Sequence, residues 1–159
     1  MIGTVVWIDR IRLLVATFWV GSLWSIGYVV APTLFATLYD RVLAGTIAGS
    51  LFRVQAWVSV GSAMLVLALQ VWQDRHSRND LEKDRRRSTG LIVAMLACTV
   101  VGYFCLDPFM AALRDAAGPS GVMASDAKLQ FGVLHGVASF IYLANSLLGL
   151  ALMLKINRR

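Results

Sequence analysis

The chain has 159 residues, of which 58% are hydrophobic and 15% are charged, and its net charge is +6. An ordinary soluble domain is about 45–50% apolar and about 25% charged. A chain of the present composition has too few charged residues to form a surface that keeps it dissolved in water. Two cysteines and a mixed composition also exclude a disulfide framework and a low-complexity protein. The expected solvent is therefore a lipid bilayer.

Four stretches of the chain contain no Asp, Glu, Lys or Arg, and each is long enough to cross a membrane. They run for 27, 20, 19 and 26 residues, at Leu13–Tyr39, Val54–Gln73, Ser88–Leu106 and Leu129–Leu154. A helix needs roughly 20 apolar residues to span a hydrocarbon core, and the stretches lack the alternation of membrane strands. We predict an all-α, polytopic membrane protein: one domain over 1–159, a four-helix bundle with helices at about 11–36, 43–73, 88–107 and 128–155.

The first helix is expected to be an uncleaved anchor, because its apolar stretch exceeds that of a signal peptide and no cleavage site follows. Pro32 is predicted to kink or stop it. After Asp40 a helical stripe predicts that the second helix extends outward. The third helix is predicted to end at Asp107–Pro108, and residues 118–121 to form a turn.

Basic residues are unevenly distributed between the two ends of the predicted helices. With the N-terminus inside, eleven Lys and Arg residues lie in the inner segments and four in the outer ones. Because basic residues resist translocation, this count predicts that both termini and the middle loop face the cytoplasm. The expected location is a bacterial inner membrane.

The middle loop, residues 75–87, contains six of these basic residues mixed with acidic ones. Such a loop attracts anionic lipid headgroups, which are its predicted partner. Nucleic acid is excluded as a partner because no aromatic interleaving or known binding module accompanies the charge.

Small residues recur at four-residue spacing on three of the helices. The three sets are Thr17, Gly21 and Ser25; Gly45 and Gly49; and Gly132 and Gly136. In lipid, such faces let helix backbones approach closely. We expect them to pack mainly within the bundle, with a homo-oligomer or a larger membrane complex as the other use.

A polar stripe marks the fourth helix, where polar groups are energetically costly. His135, Ser139, Tyr142 and Ser146 share one face, and Asn145 beside them is expected to point into the bundle. These groups either hydrogen-bond between helices or form a functional site, and the sequence favours neither.

Arg53 and Asp107 complete the predicted polar cluster. If the second helix enters the membrane near Val54, Arg53 extends to the outer interface, which is the favoured interpretation. If it enters near Ala44, Arg53 lies inside, Asp107 becomes its expected partner, and Gln55 joins the pair.

No catalytic residues, metal site or resident cofactor are predicted from the motifs. The chain lacks nucleotide-binding and hydrolase signatures, and Cys98 and Cys105 are about 10 Å apart on one helix, too far for one ion. Thiol and Met side chains in apolar helices are usually packing residues. The alternative is a copper- or haem-associated protein that uses His135 as a ligand.

Several short segments carry a family resemblance. The first helix with its exit (residues 19–21 and 30–35), residues 44–45 and 49–52, and residues 131–139 with Asn145 resemble a bacterial four-helix membrane family of unknown function. That family shares a domain with eukaryotic transmembrane protein 205. More distantly, the first helix is similar to copper-resistance D proteins and small membrane protoporphyrinogen oxidases. These relatives imply copper or haem, yet the first helix here lacks a histidine. We therefore expect a non-catalytic accessory or assembly subunit.

Overall fold

A computed structural model describes residues 2–76 and 82–156, with side chains described for residues 7–73 and 86–156. All regular elements in these ranges are helical. They are α1 (Ile2–Trp24), α2 (Ala31–Thr37), α3 (Arg41–His76), α4 (Glu82–Thr99), α5 (Asp107–Ala117) and α6 (Lys128–Ile156). Four helical runs are long and apolar enough to cross a membrane: Trp7–Thr37, Arg41–Gln73, Arg86–Ser120 and Lys128–Ile156. The predicted all-α bundle with four membrane helices is confirmed.

The first and third membrane helices continue through their prolines. A π-helical segment, Ser25–Val30, joins α1 to α2, and a second, Val100–Leu106, joins α4 to α5. Pro32 and Pro108 each lie in the first turn of the α-helix that follows the π segment. The first run ends at Thr37, close to the predicted end at about 36, whereas the predicted end of the third helix at Asp107 is wrong, because the run continues through α5.

The connections between α2 and α3 and between α5 and α6 are short and locally capped. The Asp40 side chain accepts hydrogen bonds from the backbone N–H groups of Val42 and Leu43, so α3 begins at Arg41 as the stripe predicted. Two 3₁₀ turns follow α5, and Gly118 and Gly121 adopt φ values of +61° and +77°. The predicted turn at 118–121 is confirmed, and it uses backbone conformations that favour glycine.

The four long helices form a ring in which α1 packs against α3, α3 against α4, α4 against α6 and α6 against α1. The half of the ring nearest the α3–α4 connection is an apolar core of fully buried side chains. Its largest members include Trp19, Ile92, Met95 and Leu152. A smaller apolar cluster at the opposite end joins α5 to α6 through Met110, Val122 and Phe131.

Burial follows the same spacing in both helical hairpins. On α1, positions 12, 16, 19 and 23 are buried, and on α4 positions 88, 92, 95 and 99 are buried. On α3, positions 55, 56, 59 and 62 are buried, and α6 repeats the spacing at 145, 146, 149 and 152. Both first helices of a hairpin also contain a Gly-Tyr pair within a π segment that precedes a proline. The α1–α3 and α4–α6 hairpins therefore share one pattern of burial, π segment and proline. No internal repeat was predicted from the sequence.

Two of the three small-residue stripes face away from the bundle. Thr17, Gly21 and Ser25 are exposed on α1, and Gly132 and Gly136 are exposed on α6. A Cβ atom added at any of the three glycines would meet nothing within 4 Å. The expectation that these faces pack within the chain is wrong, because the bundle buries the opposite side of each helix.

Candidate functional site

Polar side chains from all four membrane helices lie at a similar level, about midway along the bundle. The buried ones are Gln55 and Ser59 on α3, Thr99 on α4, and Asn145 and Ser146 on α6, with exposed fractions of 1–7%. The first π segment contributes the hydroxyl group of Tyr28. We call these six residues the polar layer. Uncompensated polar atoms are costly at this depth, so the layer is the candidate site of the protein.

Hydrogen bonds within the polar layer connect different helices. Tyr28 donates its hydroxyl to Ser146 Oγ at 2.9 Å, and Asn145 donates its amide to Thr99 Oγ1 at 3.4 Å. The Gln55 amide donates to Ser59 Oγ at 3.4 Å, one turn along α3. The hydroxyls of Thr99 and Ser146 donate to carbonyl oxygens in their own helices.

Two acceptors in the polar layer have no partner among the described residues. They are Gln55 Oε1 and Asn145 Oδ1, and both side chains are more than nine-tenths buried. Leaving a buried polar atom unsatisfied costs about 1–3 kcal/mol. Each of these two carbonyl oxygens can therefore still accept a hydrogen bond.

Aromatic rings cover the side of the polar layer that faces the α2–α3 connection. Tyr142 lies edge-on to both Phe52 and Tyr28, with ring centroids 5.4 and 6.1 Å apart, and its hydroxyl donates to the Leu23 carbonyl at 2.5 Å. A Cβ atom at Gly27 would collide with the Tyr142 ring. Glycine is therefore required at this point of the first π segment.

The polar stripe predicted on α6 lies partly inside the bundle and partly on its surface. Tyr142, Asn145 and Ser146 lie inside the bundle, whereas His135 and Ser139 are exposed near its outer end. His135 stacks on Phe131 with ring centroids 6.0 Å apart, and Ser139 donates to the His135 carbonyl oxygen at 2.8 Å. The structure therefore brings three of these five residues into or beside the layer and leaves two on its periphery.

Arg53 and Asp107 do not meet. Helix α3 does begin well before Arg53, but the exposed guanidinium donates to the Tyr103 hydroxyl at 3.1 Å. Asp107 instead pairs with Arg114 at 3.1 Å, about two turns along α5. The alternative in which Arg53 pairs with Asp107 is therefore wrong, because Arg114 on α5 occupies the Asp107 carboxylate.

A second polar cluster lies at the other end of the bundle, around Arg12. This side chain is only 5% exposed and donates to Gln73 Oε1 at 2.7 Å, to Asp9 Oδ1 at 3.3 Å and to Gln70 Oε1 at 3.4 Å. Gln70 in turn donates to Thr89 Oγ1 at 2.6 Å, which connects α1, α3 and α4. Arg12 is one of the eleven basic residues that the orientation prediction counts in the inner segments, and no pattern in the sequence indicates this cluster.

Metal-ligating side chains are dispersed in the part of the chain that the structure describes. No group of three or more His, Cys, Asp or Glu residues could hold an ion there. Cys98 is partly buried and Cys105 is exposed, and both are free thiols. The anionic-lipid prediction for residues 75–87 falls largely on side chains outside the described residues.

Residues 14–119, about two thirds of the chain, match a family described as a domain of unknown function, DUF4149. The chain belongs to the DUF4149 family. No curated protein and no solved structure matches it. The DUF4149 match includes Tyr28, Gln55 and Thr99 of the polar layer and stops before α6.

Proposed function

We propose that this DUF4149 protein is a non-catalytic accessory or assembly subunit of a bacterial inner membrane, which associates laterally with other membrane helices. The observation that carries the proposal is the outward position of the Thr17, Gly21 and Ser25 stripe on α1. Glycine within a helix costs roughly 0.5–1 kcal/mol relative to alanine. A small-residue stripe facing lipid recovers that cost only when another backbone packs closely against it.

The outer half of α6 supports the same proposal. Gly132 and Gly136 are spaced by one turn on an exposed face that also presents the polar His135 and Ser139 side chains. In lipid, imidazole and hydroxyl groups usually face protein or a water-filled space. A partner helix on this face would supply both close packing and polar contacts.

A lateral groove between α1 and α3 lies beside the α1 stripe. It is apolar and open to the membrane, and it is lined by Leu14, Phe18, Val58, Gly61 and Leu65, among others. Leu14 and Phe18 are 69% and 63% exposed. A groove of this kind can receive one side of a helix, which favours a protein partner over a purely lipid environment.

The proposal is tested by the size of the complex in native membranes extracted with mild detergent. We expect the wild-type chain to migrate in native gels as an assembly, and Gly21→Ile and Gly136→Ile to shift it to the monomer. Gly90→Ile is the matched control, because Gly90 is also exposed with nothing within 4 Å but belongs to no stripe. A wild-type chain that is monomeric in these extracts would contradict the proposal.

The orientation of the chain is part of the proposal. We place both termini and the 75–87 loop in the cytoplasm, where the loop would contact anionic lipid, because of the excess of basic residues. Reporter fusions at residue 159 and within the loop test this arrangement. Periplasmic activity from either fusion would reverse it.

A second proposal assigns haem or copper to His135. The supporting observation is that this imidazole is exposed and has no side-chain hydrogen bond among the described residues, only a stacking contact with Phe131. A bound group would draw its other ligands from a partner. Absorption spectroscopy and metal analysis of the purified protein, with His135→Ala as the comparison, test it. Stoichiometric haem or copper that the variant loses would favour this function over the first, and a colourless, metal-free wild type would reject it.

The same measurement bears on the distant resemblances. Similarity to copper-resistance D proteins, to small protoporphyrinogen oxidases and to transmembrane protein 205 stays a prediction for this DUF4149 chain.

A further inference from the structure

The two unpartnered carbonyl groups of the polar layer occupy equivalent places in the two hairpins. Gln55 and Asn145 each begin the burial spacing that α3 and α6 share. Three residues before them, Phe52 and Tyr142 touch edge to face with centroids 5.4 Å apart. Because α3 and α6 run in the same direction on opposite sides of the ring, both amides lie at one level and face the bundle axis.

Three hydroxyl groups around these amides already donate to other groups. Thr99 donates to the Met95 carbonyl, Ser146 donates to the Tyr142 carbonyl, and Tyr28 donates to Ser146. Among the described residues of the layer, the buried oxygen atoms that lack a partner are Gln55 Oε1 and Asn145 Oδ1.

We propose that the polar layer binds a buried water molecule, which donates one hydrogen bond to Gln55 Oε1 and one to Asn145 Oδ1. Water has two donor protons, which matches two acceptors, and buried waters typically bridge polar groups that otherwise lack partners. A cation is disfavoured because Arg12 is the only charged side chain among the buried described residues, and no buried carboxylate offsets a positive charge.

Polar side chains on one face of α6 extend from its exposed part to the layer. His135 and Ser139 are exposed, and Tyr142 and Ser146 follow on the same face. Tyr28, which donates to Ser146, is 50% exposed.

The test is X-ray hydroxyl-radical labelling of the full chain in lipid nanodiscs, since radicals formed from a bound water modify the nearest side chains. We expect Tyr142 and Phe52 to be modified severalfold faster than Phe140, which lies 73% exposed on the outer surface of α6, facing lipid. In the Gln55→Leu/Asn145→Leu double variant, labelling of Tyr142 and Phe52 should fall to the Phe140 level. Ser62→Ala, a buried change two turns further along α3, is the control and should leave the labelling unchanged.

Other outcomes overturn the proposal. Wild-type labelling of Tyr142 and Phe52 no faster than that of Phe140 would show that the layer is dry, and this result needs no variant. Unchanged labelling in a folded double variant would place the water elsewhere. If the double variant does not fold, Gln55→Met alone replaces it and must also lower the labelling. A melting temperature that rises with NaCl but not with choline chloride, and loses this dependence in the variant, would identify a cation instead.

Discussion

Replacing Gly27 with alanine tests the close contact between the first π segment and α6. The added Cβ atom would collide with the Tyr142 ring, so the ring must move away from Leu23 and Phe52. Overpacking costs about 1–3 kcal/mol, and loss of the hydrogen bond to the Leu23 carbonyl costs about 1 kcal/mol more. The better helix propensity of alanine offsets about 0.5–1 kcal/mol. We therefore expect the free energy of unfolding to fall by about 1–3 kcal/mol.

The assay is reversible unfolding in mixed micelles titrated with SDS, followed by tryptophan fluorescence. Gly21→Ala is the matched control on the same helical run, because nothing lies within 4 Å of a Cβ atom there, and it should be neutral or slightly stabilising in monomeric protein. In a Tyr142→Leu background, the penalty of Gly27→Ala should largely disappear. Equal stabilities of the two alanine variants would refute the packing described for Tyr142.

Three further substitutions probe the ends of the helices in the same assay. Arg12→Met should lower the unfolding free energy by about 2–3 kcal/mol because it removes a buried cation's hydrogen bonds, whereas the exposed Arg10→Met should change it by less than about 0.5 kcal/mol. Similar effects at the two arginines would argue against the Arg12 cluster. Asp40→Ala should cost about 1 kcal/mol through loss of the cap of α3, and a neutral result would mean that the cap is dispensable. Gly121→Ala should cost about 1–3 kcal/mol because φ is +77° and its Cβ atom would lie 2.9 Å from Val42; wild-type stability would contradict this backbone geometry.

The membrane helices could be predicted because a helix in hydrocarbon requires a long uncharged stretch. The lengths of such stretches follow directly from the positions of the charged residues in the sequence. The continuation of two helices through Pro32 and Pro108 could not be predicted. A proline restricts the backbone only at its own N–H group and in the preceding turn, and in both helices that turn is part of a π segment. The sequence contains no separate signal for such a segment.

The polar layer was only partly predictable. Tyr142 and Ser146 were identified from their shared face on α6, and Asn145 as their neighbour. Helical spacing does not show which part of that face other helices cover, so these residues were grouped with the exposed His135 and Ser139. Partners across the bundle depend on the register between helices, which periodicity does not fix. The repeated Gly-Tyr pairs before Pro32 and Pro108 are the signal that could have indicated two related hairpins.

Arg12 was missed for a different reason. A basic residue at the end of a membrane helix is normally explained by orientation in the membrane. Its burial depends on Gln70 and Gln73, which are about 60 residues away in sequence. Such a long-range contact is not visible in composition or spacing.

The central claim is that the bundle buries its polar layer and turns its small-residue faces outward. Nitroxide spin labels placed by Gly21→Cys, Gly136→Cys and Ala16→Cys in a Cys98→Ser/Cys105→Ser background test it in monomeric protein in nanodiscs, through collision rates with oxygen and with a water-soluble nickel complex. We predict high oxygen accessibility at 21 and 136 and low accessibility at the fully buried position 16. Labels at 21 and 136 that are as shielded from oxygen as the label at 16 would contradict the account.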